Sequence, residues 1–117
     1  IGSLLDTIHL MSTVDKLREN GITIDLDSLA AIANSYSIVE IAVFGSSIRD
    51  DLNDDSDVDL LVTFSKEASV SLFDLMDLEE QLSELFGRPV DIIEPESLSN
   101  PIRRRAILSS KETLYAA

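Results

Sequence analysis

Asp57 and Asp59, one residue apart, open an apolar run, Leu60-Leu61-Val62, while Gly45-Ser46 closes another, Ile41-Ala42-Val43-Phe44. Side chains alternate along a strand, so the two carboxylates share one face and Val58 and Leu60 take the other. Their separation of about 6 Å costs roughly 3 kcal/mol of repulsion at an effective dielectric of about 20. A cation offsets it. Oxygen ligands, with no His or Cys nearby, select Mg²⁺ or Mn²⁺ over Zn²⁺. A third carboxylate is needed to hold a second ion and orient an attacking oxygen. Asp91, in Pro89-Val90-Asp91-Ile92-Ile93, is the candidate, because its strand can lie beside the second one. Two such ions sit about 3.5–4 Å apart, activating a nucleophile and stabilising a leaving pyrophosphate.

The Gly-Ser pair supplies the complementary half. Gly45 lets the backbone turn tightly and approach a phosphate, and Ser46 can donate its hydroxyl. The backbone N–H groups of Ser47 and Ile48 would point at the same oxygens if a short helix begins there. Arg49, one turn on, either reaches a triphosphate or braces an acid of the loop. A phosphate cradle facing a divalent-metal site is the minimum apparatus for chemistry on a nucleoside triphosphate. Each piece alone is weak, since an isolated Asp-x-Asp is more often a turn. A calcium-hand reading from Asp51 fails, because its sixth position is Ser56 rather than Gly and its twelfth Val62 rather than Glu. His9 stands without a Cys or matched nucleophile and reads as a surface or interface residue.

The elements that must position these groups are legible. Leu4 to Glu19 carries apolar residues near helical spacing, and Asn20-Gly21 stops it. A second helix is expected over Asp27 to Ser35, capped by Asp27 or Ser28. These two helices do not suit a helix-turn-helix reader, because the second offers no Arg, Lys or Gln to a base edge. Strands are expected at Ile38–Phe44, Val58–Phe64 and Val90–Glu94, with a short edge strand at Leu114-Tyr115. Between Ser71 and Gly87 runs the clearest helix, with Leu72, Leu75, Met76, Leu82, Leu85 and Phe86 as its apolar stripe and its acids solvated. Asn100-Pro101 starts a last helix, to about Ser110. The fold class is α/β (α+β), a small mixed sheet flanked by helices.

At 117 residues the chain is one domain, 1–117, read as a helical lead-in (1–36) and a catalytic core (37–117). Ile1 in place of Met leaves room for a longer native chain. The absence of Cys and of any apolar run near the ~20 residues of a membrane span points to the cytoplasm, away from membranes. Nine Lys and Arg against 22 Asp and Glu, a net charge of −13, argue against a broad nucleic-acid footprint. The one basic cluster, Arg103-Arg104-Arg105, is a solvated helix surface or a contact for a triphosphate tail or an acidic partner.

Taken together, Gly45-Ser46, ten residues, Asp57-x-Asp59 and a later Val90-Asp91 resemble the signature of the DNA polymerase β-type nucleotidyltransferases. The short length, Ser56 through Val62, and Val90-Asp91-Ile92-Ile93-Glu94-Pro95 followed by Asn100-Pro101-Ile102-Arg103 resemble its minimal, MNT-type branch. The resemblance covers about Ile38 to Leu108. It implies a polymerase β-like fold, Asp57, Asp59 and Asp91 as catalytic metal ligands for two Mg²⁺ or Mn²⁺ ions, and Gly45, Ser46, Ser47 and Arg49 on the nucleotide. It also implies transfer of a nucleoside monophosphate to a hydroxyl, with ATP as the expected substrate. Where the family continues Ala-Arg-Gly, this chain has Ile48-Arg49-Asp50, and the Asp50 charge would weaken nucleotide binding.

Members of the minimal branch are commonly encoded with a small helical HEPN protein and act as its antitoxin. The resemblance implies AMP transfer to a tyrosine of that toxin, whose RNase activity falls silent. An acidic surface suits a basic RNA-cutting partner. The alternative is a silent binding module that neutralises its partner by contact alone, against which the retained carboxylates argue. A third reading, transfer to a small molecule, needs an acceptor-binding domain or a dimer mate, and a homo-oligomer stays open.

Overall fold

The strands form where β-branched residues concentrate. β1 (Ile38–Phe44) runs antiparallel to β2 (Val58–Phe64). β3 (Val90–Ile93) lies parallel to β2, and β4 (Glu112–Ala116) antiparallel to β1, giving a mixed sheet of order β3-β2-β1-β4. This is a computed structural model describing residues 13–45 and 57–117. The expected helix from Leu4 therefore enters the description only over 13–19, here α1, followed by Gly21 at φ +83°.

Helix α2 (Leu26–Ser35) begins earlier than its sequence suggests. Its cap is Asp25, not Asp27 or Ser28, because the Asp25 carboxylate accepts from Asp27 N at 3.1 Å and from Ser28 Oγ at 2.8 Å. Those two residues are donors to the cap. Helix α3 (Leu72–Phe86) opens on a reciprocal capping box: Ser71 Oγ accepts from Asp74 N at 3.1 Å, and Asp74 Oδ2 from Ser71 N at 3.0 Å. Gly87 ends it at φ +73°. Helix α4 (Pro101–Ser110) starts on Asn100, whose Oδ1 accepts from Ile102 N and Arg103 N, with Pro101 in the first turn.

The sheet has two unlike faces. Ile41, Val43, Val58, Leu60 and Val62 pack with Leu17 of α1, Leu29 and Ala33 of α2, and Leu78, Leu82 and Phe86 of α3. Ala42, Phe44 and Leu61 pack with Leu98 and Ile107 on the other face, under α4. Of the stripe expected from its sequence, Leu82 and Phe86 are buried and Leu85 packs against the same core, while Leu78 completes the buried i, i+4 row 78-82-86. Leu72 and Met76 stay exposed, lying about 80° and 120° around the helix from the middle of that row. Among the described residues no helix is long and apolar enough to cross a membrane.

Candidate nucleotide and metal site

At one end of the sheet β1 finishes while β2 and β3 begin. Phe44, the last residue of β1, is the register partner of Asp59, and Asp59 is the register partner of Asp91 on β3. Neighbouring strands lie about 4.8 Å apart, so the two acids stand side by side across a parallel pair. Alternation places Asp59 on the face of Leu61, and Asp91 on that of Ile93, both on the α4 side of the sheet. Phe44, buried on the same face, forms the dry wall behind them.

Asp57 lies just before β2 and is exposed, as is Asp91, whereas Asp59 is half-buried. The ladder is anchored here by Val58 N donating to Pro89 O at 2.9 Å, which ties the starts of β2 and β3 together. Three carboxylates therefore share one sheet end. Among the described residues, however, no three His, Cys, Asp or Glu groups converge closely enough to hold a metal ion. Like charges have no reason to close up on their own.

Gly45 has the feature that sequence reasoning understated. Its φ of +73° is one that L side chains rarely adopt, and a Cβ built there would lie 2.6 Å from Asp59 Oδ2 and 3.6 Å from its Cγ. The glycine is needed for the turn, as its sequence suggests, and also for the room that the Asp59 carboxylate occupies. The signal was present in the pairing of the two apolar runs, which sets Phe44 opposite Asp59. Ser46, Ser47 and Arg49 lie outside the described residues, as do Asp50 and His9.

The triple arginine divides. All three are exposed, but Arg104 Nη1 donates to Pro95 O, bracing α4 against the short 3-10 turn Pro95–Ser97. A second polar cluster, unread in the sequence, joins β1 to β4. Glu40 accepts from Lys111 Nζ at 2.9 Å and from Thr113 Oγ1 at 2.7 Å, a partly buried seam with a structural role.

Residues 26–114 match the family described as the nucleotidyltransferase domain. The chain belongs to that family. The nucleotidyltransferase domain so delimited begins at the first residue of α2 and ends within β4, and so includes all three carboxylates and Gly45. A relative from Thermococcus cleftensis, the protein adenylyltransferase MntA, is 39% identical over 80 residues, covering 68% of this chain and 76% of that protein. Two solved structures share the fold. One, a toxin–antitoxin with AMP-PNP, has a TM-score of 0.62 at 16% identity, covering 80% of this chain and 75% of the other. The MntA-HepT toxin–antitoxin has a TM-score of 0.55 at 15% identity, covering 79% and 70%.

Proposed function

We propose that this nucleotidyltransferase domain is a metal-dependent protein adenylyltransferase, transferring AMP from ATP to a hydroxyl, a tyrosine of a small helical HEPN-type toxin, in the cytoplasm. The observation that carries the reading is the juxtaposition of Asp59 with Asp91 across β2 and β3, with Gly45 pressed against Asp59. The relative named a protein adenylyltransferase supports the acceptor class.

Asp57, Asp59 and Asp91 are all-oxygen donors of the kind Mg²⁺ or Mn²⁺ takes. They stand at one sheet end without converging, and would close on an ion only as it binds, while Gly45 keeps the space beside Asp59 clear of a side chain. Two such ions, when bound, supply neutralisation of the triphosphate and of the leaving pyrophosphate. Gly45, with Ser46, Ser47 and Arg49 following it, holds the phosphates. The acceptor oxygen forms a bond to the α-phosphorus, the α–β bridging bond breaks, and pyrophosphate departs with its electron pair. Asp91, exposed beside Asp59, orients the acceptor hydroxyl and takes up its proton.

The test is incubation with Mg²⁺, α-labelled nucleoside triphosphates and the protein encoded alongside, with label followed on gels. Label on the partner from ATP, absent with Asp57→Asn/Asp59→Asn, is the expected result. A stable complex without label from any nucleotide would replace the reading with a contact-only antitoxin.

A further inference from the structure

Helix α3 exposes apolar side chains where a soluble helix would carry polar ones. Leu72, Phe73 and Met76 are 71%, 77% and 60% exposed. They fall within about 100° of one another around the helix and form one patch at its start. Phe73 lies on the side opposite the buried row 78-82-86. Burying them against water is worth roughly 1.5–3 kcal/mol each, so leaving them exposed forgoes stability that the fold could have used.

The rim of the patch is acidic. Asp77 follows Phe73 by one turn and Glu80 follows Met76, and α3 contains no Lys or Arg over its whole length. That charge selects among occupants. A second copy of this chain would bring the same acids against themselves across a twofold interface. Nucleic acid and anionic lipid surfaces are repelled likewise. A protein presenting an apolar protrusion ringed by Lys or Arg fits.

Position gives the patch a purpose. β2 leads away from Asp59, and α3 then returns over 15 residues, about 22 Å, to the Gly87 turn that begins β3. The patch therefore lies at the end of the sheet remote from the carboxylates. Helix α3 packs on β3, the edge strand that carries Asp91. The patch belongs to the α3 face of the sheet and the carboxylates to the α4 face, so a protein that wraps around the β3 edge reaches both.

We propose that Leu72, Phe73 and Met76, rimmed by Asp77 and Glu80, form the anchoring surface for the protein acceptor, a basic-rimmed partner held apart from the chemistry. This rests on the adenylyltransferase reading and deepens it. A chain with no acceptor-binding domain among its described residues selects its hydroxyl by gripping the partner elsewhere.

The experiment uses the full chain and the small protein encoded beside it. Three proteins are compared, wild type, Phe73→Ser/Met76→Ser and Asp77→Lys/Glu80→Lys, for partner Kd by calorimetry at low and high salt and for AMP transfer across partner concentrations. Both variants should bind about tenfold or more weakly, with melting temperature unchanged and transfer recovered at saturating partner: KM raised, kcat retained. Only the charge variant should lose most of its salt dependence. Unchanged Kd in both variants overturns the proposal, as does a wild type that fails to bind this partner, or one that dimerises through the patch. Weakened binding by the variants, with no transfer by wild type, would uphold the anchor and remove the transferase reading instead.

Discussion

Gly45 and Asp59 occupy the same small space: the Cβ that Gly45 lacks would sit 2.6 Å from the Asp59 Oδ2 atom. In the proposed reading one residue supplies the phosphate-side turn and the other the metal-side carboxylate. The contact joins the two halves of the site, and it follows from the register that pairs Phe44 with Asp59.

Gly45→Ala should therefore suffer twice, from the left-handed backbone and from collision with the carboxylate. Gly87 shares the φ of +73° but has no atom within 4 Å of its missing Cβ. It isolates the backbone cost. Gly87→Ala is expected to lose about 1 kcal/mol and Gly45→Ala about 2 kcal/mol or more, measured by chemical denaturation. Only Gly45→Ala should also weaken ATP binding in a Mg²⁺-containing titration.

The seam between β1 and β4 makes a separate prediction. Glu40 and Lys111 have side chains about a quarter exposed, at 24% and 25%, so their 2.9 Å contacts are less screened than a surface pair. Glu40→Gln should cost about 1 kcal/mol. A double-mutant cycle with Lys111→Met should return a coupling of at least about 0.5 kcal/mol. Zero coupling would mean that Thr113 alone holds Glu40.

The strands were legible to the residue for β1 and β2, because apolar runs bounded by Gly-Ser and by Asp-x-Asp leave little choice of ends. Asn100-Pro101 and Ser71 with Gly87 marked their helices for the same local reasons. Asp25 was missed because three nearby residues (Asp25, Asp27 and Ser28) could each cap, and only backbone geometry separates them. The exposure of Leu72 and Met76 was missed because a stripe drawn by type does not say how far the neighbouring sheet extends. Of the site, the side-by-side placement of Asp59 and Asp91 depended on a parallel pairing that local sequence suggests but cannot register. The Glu40–Lys111–Thr113 seam joins residues 71 and 73 positions apart, beyond any local pattern.

Tyr36 carries a pH prediction. Burial, and then the charges of Asp77 and Asp74, push its phenol above its ordinary value of 10.0, and its hydroxyl accepts from Gln81 Nε2 at 2.7 Å. A raised folded value means that the folded state holds its proton longer. The contribution to stability is then complete below about pH 10 and declines as pH rises through the folded value. Phenolate absorbance in a Tyr115→Phe background should show Tyr36 ionising above its unfolded counterpart. Asp77→Asn should lower that midpoint, and an unmoved midpoint would leave burial and Asp74 as the causes.

The carboxylates of β2 and β3 make the sharpest demand. Asp59 and Asp91 are register partners on adjacent strands, and at about 5 Å they repel by about 1 kcal/mol even in water-like surroundings. In chelator, Asp91→Asn should be as stable as wild type or slightly more so, since it removes one of two like charges. In Mg²⁺ the order should reverse. Wild type gains about 1.4 kcal/mol when the ion is at ten times its Kd, and Asp91→Asn does not. Transfer should fall about a hundredfold or more in the same variant. Chelator and Mg²⁺ melting curves that coincide for wild type would reduce Asp57, Asp59 and Asp91 to a solvated sheet end. A metal-dependent gain surviving in Asp91→Asn would confine the ion to Asp57 and Asp59, leaving Asp91 to orient the acceptor alone.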